Sequence, residues 1–401
     1  MNDPKIQVQT VLRHILALAE RIGPRGATSP EESKAAQYAF KQLEQLGYHP
    51  YMEHFSCAKS TYQPHVLASI LMLITFLIYP LAGRVSAALA AGLSFFTLFS
   101  DLLQLGNLPN PLHSFIPKGY SQNVLARLEP RQEHQADLIL VSHLDTHRTG
   151  KIFSSKCSLT LFQIFLIIAY MSFSAQVGFF LAGILAQWDW LWFASIPSAI
   201  SAILLSALYL EVDHAPYSPG ANDNASGVAM VLSLAKIYKV FPLEHTRLWF
   251  VLTGCEEVGH EGMKHFLKQH FSEFVNANCI VFEMVGADGP AWEAQEGILI
   301  PLKPNKHLVQ IATDIAREHP DLGVYPSRMF GANTEMVDAL RGGLPAITFF
   351  GLTRDGQAPY RHQMADTYEK INPDVLKRTL EFSNHFIRQV DQPQGTMNGE
   401  I

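Results

Sequence analysis

Charge is what this sequence has least of. Charged residues make up 16% of it, against about 25% in an ordinary soluble domain. Hydrophobic residues reach 48%, so part of the chain is not built to face water. A basic surplus is missing too: 30 Lys and Arg stand against 36 Asp and Glu, a net charge of −6. Nucleic-acid binding needs positive charge for phosphate contacts, so no nucleic-acid partner is expected. Cysteine is scarce, and Cys57, Cys157, Cys255 and Cys279 form no CxxC pair and no dense framework. That argues against a disulfide scaffold or a Cys-ligated zinc, and the cysteines read as unpaired, in keeping with a reducing compartment. Residues 1–30 hold no continuous apolar h-region, because Arg13, Glu20, Arg21 and Arg25 interrupt it, so they do not read as a secretory signal peptide.

Two long apolar runs account for the missing charge. Val66 to Phe99 carries one charge, Arg84, between two apolar stretches of roughly 17 residues, each close to the length a membrane span needs. Leu159 to Leu210 is two apolar runs around Trp188-Asp189-Trp190-Leu191-Trp192, the composition of an interfacial belt at a hairpin tip. Both regions are expected to be membrane hairpins at residues 66–101 and 159–211, inserted into one discontinuous domain formed by residues 1–65, 102–158 and 212–390. Residues 391–401, rich in Gln, Pro, Gly and Asn, are expected to be a disordered tail.

The polar remainder opens with apolar positions from Ile6 to Ile22 at helical spacing, stopped by Gly23-Pro24. A second helix follows from about Ser29 to Leu46, then a strand-like stretch Tyr48 to Phe55. Further on, short apolar strands (Asp137 to Val141, Leu248 to Leu252, Cys279 to Phe282, Ala346 to Phe350) alternate with helical stretches (Val228 to Tyr238, Gly262 to Phe271, Lys306 to His319, Pro373 to Val390). Such alternation predicts an α/β fold with a mixed, largely parallel central sheet between two layers of helices.

Chemistry collects where those strands end, which is where ligands bind in open α/β sheets. The first strand runs into Ser142-His143-Leu144-Asp145, where the carboxylate two residues on can orient the imidazole. Asp223 stands just before the helix at Val228 and, taken alone, reads as an N-cap. Glu256 and Glu257 follow a buried strand, and adjacent carboxylates there must shift each other's pKa or hold a cation. Glu283 ends the next strand, and His362 with Asp366 follows the last. Only His, Asp and Glu are delivered to this edge, and that set calls for a metal.

The ordered series HLD, NDNASG, CEE, FEMVG and HQMADT resembles the M28 family of binuclear zinc exopeptidases, the aminopeptidase and glutamate-carboxypeptidase-like group, across essentially the whole chain outside the hairpins. The resemblance implies the three-layer zinc-exopeptidase fold and two zinc ions, one on His143 and Glu283, the other on Glu257 and His362, with Asp223 bridging. It also implies Glu256 as general base, Asp145 holding His143, and Asp366 beside His362. Two positions depart from the family pattern. Glu283 stands where the ligand is often Asp, and Arg361 precedes the final His where Tyr is frequent, with Tyr360 one place earlier. Tyr360, Arg361, Arg328 and Glu335 are candidate substrate contacts. Mn or Co could occupy the same ligands.

These readings converge on a membrane-anchored zinc exopeptidase, foremost an aminopeptidase, with a peptide or aminoacyl substrate and the lipid bilayer as partners. Lys59, Lys118, Arg148, Lys151 and Lys156 flank the hairpins on the domain side, which places the catalytic domain on the cytoplasmic side. The alternatives are a glutaminyl-cyclase-like acyltransferase using one zinc, and a catalytically silent membrane scaffold on the same fold. Oligomeric state has no signature in the sequence.

Overall fold

A computed structural model describes residues 4–186, 188–329 and 331–392. The tail expected at residues 391–401 falls outside the described residues from 393 on.

Helix α1 (Pro4–Leu16) continues into a widened turn at Ala17–Ile22 that closes at Gly23. Helix α2 (Pro30–Gln45) starts sharply for local reasons: the Ser29 side chain accepts from Glu32 N, Pro30 fills the first turn, and Glu32 reaches back to Thr28 N. Strand β1 (Tyr51–Ala58) follows, then α3 (Gln63–Ile78) and α4 (Gly83–Leu105). Strands β2 (Lys118–Leu128) and β3 (Ala136–His143) precede α5 (Lys156–Ala186), α6 (Trp190–Ala194) and α7 (Ile196–His214). The remainder runs α8 (Gly227–Val240), β4 (Thr246–Thr253), α9 (Glu261–His270), β5 (Asn278–Glu283), β6 (Ala291–Glu293), α10 (Lys306–Glu318), β7 (Tyr325–Ser327), α11 (Met336–Arg341), β8 (Ala346–Phe350) and α12 (Pro373–Val390).

The chain forms two compact units. One comprises the described residues of Met1–Cys57, Gly119–His147 and Tyr217–Ile401 and holds the sheet, ordered β1-β2-β4-β3-β5-β8-β6-β7. β3, β4, β5 and β8 are mutually parallel, while β2 runs antiparallel to β4 and β6 antiparallel to β8 and parallel to β7. The parallel strands are apolar and buried along almost their whole length, as a sheet covered on both faces requires. Helix α8 is buried from Gly227 to Ala235, in the larger core with Phe250, Ile280 and Phe349. It can approach the strand ends because Gly227 opens it: a Cβ there would sit 2.5 Å from both Ser142 Oγ and Phe282 O. The expected mixed, largely parallel sheet with helices on both faces is present.

The other unit comprises Ala58–Lys118 and Arg148–Pro216 and is helical. Three of its helical stretches are long and apolar enough to cross a membrane, Gly83–Leu105, Lys156–Ala186 and Trp190–His214; Gln63–Ile78 is apolar but shorter. Many of its large apolar side chains face outward, among them Ile74, Leu89, Phe99, Ile167, Met171 and Leu185, while Phe173 and Phe180 are buried. Its polar groups turn inward: Gln176 Nε2 donates to Thr75 Oγ1, and His65 Nδ1 lies 2.7 Å from Asp101, which also accepts from Tyr170. An apolar exterior around a hydrogen-bonded interior is the reverse of a water-soluble bundle.

The reading of four unpaired cysteines is corrected. Cys57, at the end of β1, is disulfide-bonded to Cys255, just past β4, at a sequence separation of 198. A pair drawn from two distant elements leaves no spacing signature. The cysteines therefore no longer argue for a reducing compartment.

Candidate metal centre

The parallel strands end together, and the loops leaving them carry the polar residues. β3 ends at His143, β4 leads into Glu256 and Glu257, and β5 ends at Glu283. Asp223 arrives from the loop before α8 and His362 from the loop after β8. All except Glu257 are buried, and Glu257 is half-buried.

Asp223 stands in the middle. Its Oδ1 is 3.5 Å from His143 Nε2 and its Oδ2 is 3.4 Å from His362 Nε2. Glu283 Oε2 lies 3.3 Å from His143 Nε2, and Glu257 Oε2 lies 3.5 Å from His362 Nε2. Two groups of ligating atoms result, His143–Asp223–Glu283 and His147–Glu257–His362, each with its atoms within 4.8 Å of one another. A further group combines His143 with Glu256 and Glu257. Asp223 does not cap α8: Asn224 Oδ1, not Asp223, accepts from Gly227 N at the helix start, and both Asp223 oxygens face histidines.

Three carboxylates hold the loops in register. Asp145 Oδ1 and Oδ2 accept from the amides of Glu256 and Glu257, at 3.0 and 3.1 Å, while its main-chain oxygen lies 3.1 Å from His143 Nδ1. The carboxylate is farther from that nitrogen, at 3.5 Å. Asp366 accepts from the amides of Asn222 and Asp223 at 2.7 and 2.9 Å, so it grips the Asp223 loop. Glu32 accepts from Cys255 N at 2.9 Å and from Ser121.

Electrostatics mark this as a place short of positive charge. Burial pushes the Glu256 and Glu257 carboxyls well above the usual range, and nearby carboxylates push the same way. Burial lowers His143, yet Glu283 and Glu256 outweigh it and hold the imidazole well above its ordinary value. Burial and the charge of Arg361 together press His362 well below. Asp366 is raised to about 7 by burial and by Asp223. So many buried carboxylates need cations. Glu257 Oε1 is buried without a hydrogen-bond partner among the described residues. With histidine nitrogens and carboxylate oxygens converging around it, the set fits zinc, whose usual ligands these are.

The other sequence candidates are placed unevenly. Arg361 is near enough to act on Asp223, Glu257 and Glu283. Glu335 is buried and its carboxyl rises to about 7 through burial, with His143 the strongest opposing charge. Tyr360 is half-buried at φ 63° with Lys370 over its ring. Arg328 is half-buried and its charge acts on Glu293.

Sequence reasoning missed four contributors. His147 stacks on His362 with ring centroids 3.6 Å apart, and the second His of HLDTH was its only sequence signal. Asn224 donates to Glu283 Oε2 at 2.9 Å. His260 approaches Glu256. Arg25 is 1% exposed and donates to the main-chain oxygens of Leu18, Gly23, Leu144, Pro219 and Gly220, tying the His143 loop to the Asp223 loop.

Known proteins resemble this chain to different depths. The sequence model of Peptidase family M28 matches residues 202–387, a stretch that includes Asp223, Glu256, Glu257, Glu283 and His362 but not His143. Aminopeptidase YwaD of Bacillus subtilis (strain 168) is 27% identical over 169 residues, 41% of this chain and 36% of that protein. The match thus spans about a third of the relative's length. Among solved structures, an aminopeptidase from Aneurinibacillus sp. strain AM-1 superposes with a TM-score of 0.58 at 14% identity, covering 98% of this chain and 96% of that one. BSAP, a zinc aminopeptidase from Bacillus subtilis, gives 0.56 at 13%, covering 96% and 95%. A glutaminyl cyclase from Fimbriiglobus ruber gives 0.57 at 15%, covering 98% and 96%. Identities this low establish the fold alone. The resemblance read from the five motifs is supported: residues 202–387 match the sequence model of Peptidase family M28, and the chain has the fold of the zinc exopeptidases.

Proposed function

We propose that this chain is a membrane-anchored zinc exopeptidase that removes residues from the N-terminus of peptides. The observation that carries the reading is Asp223, whose two oxygens face two separate histidine–carboxylate groups. On this reading His143, Glu283 and Asp223 hold one zinc, and Glu257, His362 and Asp223 the other, with His147 beside the second. Zinc bound there supplies a Lewis acid for the scissile carbonyl and lowers the pKa of water toward neutrality.

The chain's own residues do the rest. Glu256, raised by burial and not needed as a ligand, takes the proton of the attacking water and returns it to the leaving amine. Asp145 fixes the main chain of Glu256 and Glu257, so base and ligand keep their spacing. Asp366 and Asn224 do the same for Asp223 and Glu283. Arg361 contributes positive charge beside the site for a substrate carbonyl or carboxylate.

The helical unit, apolar outside and polar inside, is the multi-pass membrane anchor. The basic residues flanking the apolar runs are the remaining argument for a cytoplasmic active site.

The test is a substrate panel on purified, zinc-loaded protein: free peptides, the same peptides N-acetylated, and peptides beginning with glutamine. Release of free N-terminal residues from the unblocked peptides alone supports the aminopeptidase. Cyclisation of N-terminal glutamine without hydrolysis would move the assignment to a glutaminyl-cyclase-like transferase. No turnover on any of them would leave a silent scaffold.

A further inference from the structure

A buried histidine outside the ligating groups connects the proposed base to a second acid. His260 is 7% exposed and stands at φ 55° just before α9. Its Nδ1 lies 2.5 Å from Asp338 Oδ2 on α11, and its Nε2 lies 3.2 Å from Glu256 Oε1. The backbone pulls the same way, since His260 N donates to Glu256 O at 2.8 Å. The two oxygens of Glu256 are thereby divided. Oε1 faces His260, and Oε2 faces the metal centre, 3.9 Å from His143 Nε2.

We propose that His260, oriented by Asp338, is a positioning residue that fixes the Glu256 carboxylate with Oε2 turned toward substrate. The inference rests on the peptidase reading above and deepens it. A glutamate side chain has three rotatable bonds, and a general base must lie within hydrogen-bond reach of the proton it takes. Asp145 anchors only the main chain of Glu256, so the carboxylate needs a hold of its own. His260 supplies it from the side away from the ligands. Asp338 holds the ring by accepting the Nδ1 hydrogen, and the imidazolium, a donor at both nitrogens, gives its Nε2 hydrogen to Glu256 Oε1.

The test compares wild type, His260→Ala, His260→Gln and Asp338→Asn, all zinc-loaded, in kcat, KM and bound zinc. Gln places a donor where Nε2 was, whereas Ala leaves none. The expected result is a kcat lowered by about 10- to 100-fold in His260→Ala, the range for a displaced catalytic group, with KM and bound zinc unchanged. His260→Gln should recover most of that loss, and Asp338→Asn should fall between. In a Glu256→Gln background, His260→Ala should cost nothing further, because no base is left to position. A kcat within twofold of wild type in His260→Ala, a loss that tracks zinc content, or His260→Gln no better than His260→Ala would overturn the inference while leaving the peptidase standing. A wild type without turnover would overturn the functional reading and this inference together.

Discussion

Arg25 offers the sharpest handle on how the metal centre is held. Its guanidinium is buried and spends its donors on five main-chain oxygens, all at 2.9 to 3.1 Å. Burial lowers its pKa to about 10, while Asp366, Asp145 and Asp223 pull it back, so it remains a cation at neutral pH. Arg25→Met keeps the volume and removes both roles. Five carbonyls lose a charged donor, and Asp366, Asp145 and Asp223 lose a nearby permanent cation. Breaking a buried charged constellation costs about 3–5 kcal/mol. In a unit of this size each kcal/mol moves Tm by about 2–4 °C, so the drop should be on the order of 10 °C. Arg25→Lys restores the charge but not the fork, since an ammonium has three donors for five acceptors, and should recover only part. The assay is thermal unfolding of the purified chain with and without zinc, paired with zinc affinity by chelator competition. Affinity should fall with stability, because Leu144 and Gly220 lie in the loops that carry His143 and Asp223. A Tm within about 3 °C of wild type, beyond which a loss of 1 kcal/mol would show, together with unchanged zinc affinity, would refute the reasoning.

Other outcomes are expected from the same geometry. His14 is buried between α1 and α2 with Nδ1 2.7 Å from Tyr38 Oη, and burial lowers its pKa from 6.5 to about 4. The unfolded chain therefore takes up a proton at higher pH than the folded one, and stability falls as pH drops from about 6.5 toward 4. Between pH 7.5 and 5 the linkage amounts to about 2 kcal/mol, so a His14→Gln variant should lose that much less than wild type in denaturant titrations at the two pH values. Glu256→Gln should keep its zinc and lose hydrolysis by about 10²- to 10⁴-fold, read by metal analysis and peptide turnover on one sample. His147→Ala should weaken zinc retention by about 10- to 100-fold, seen as faster loss to a chromophoric chelator, with Glu283→Ala releasing the other ion first.

The sequence was most readable where one strand or loop delivers one chemical group. β3, β4, β5 and β8 are short apolar runs followed by His or Glu, and the structure extends each by at most two residues at an end. β6 and β7 hold three residues each, too few for any period to show. β2 begins in exposed, polar sequence and is buried further on, where it lies between β1 and β4. Arg25 read only as one of the charges interrupting residues 1–30, because three of its five acceptors come from distant parts of the chain. Cys57–Cys255, His260–Asp338 and His65–Asp101 share that character: each joins elements distant in sequence, and only the folded chain brings them together. Asp223 shows the reverse case: taken alone it reads as a helix cap, and only the series of motifs makes it a ligand candidate, with histidines from other parts of the chain facing both its oxygens.

The central claim is that this centre binds metal through a shared Asp223. Zinc per chain, measured on purified wild type and on Asp223→Ala, tests it most directly. The account predicts about two zinc ions per wild-type chain, each with the three protein ligands usual for catalytic zinc, and loss of both in the variant. One zinc in wild type, or a variant that keeps its full complement, would contradict it.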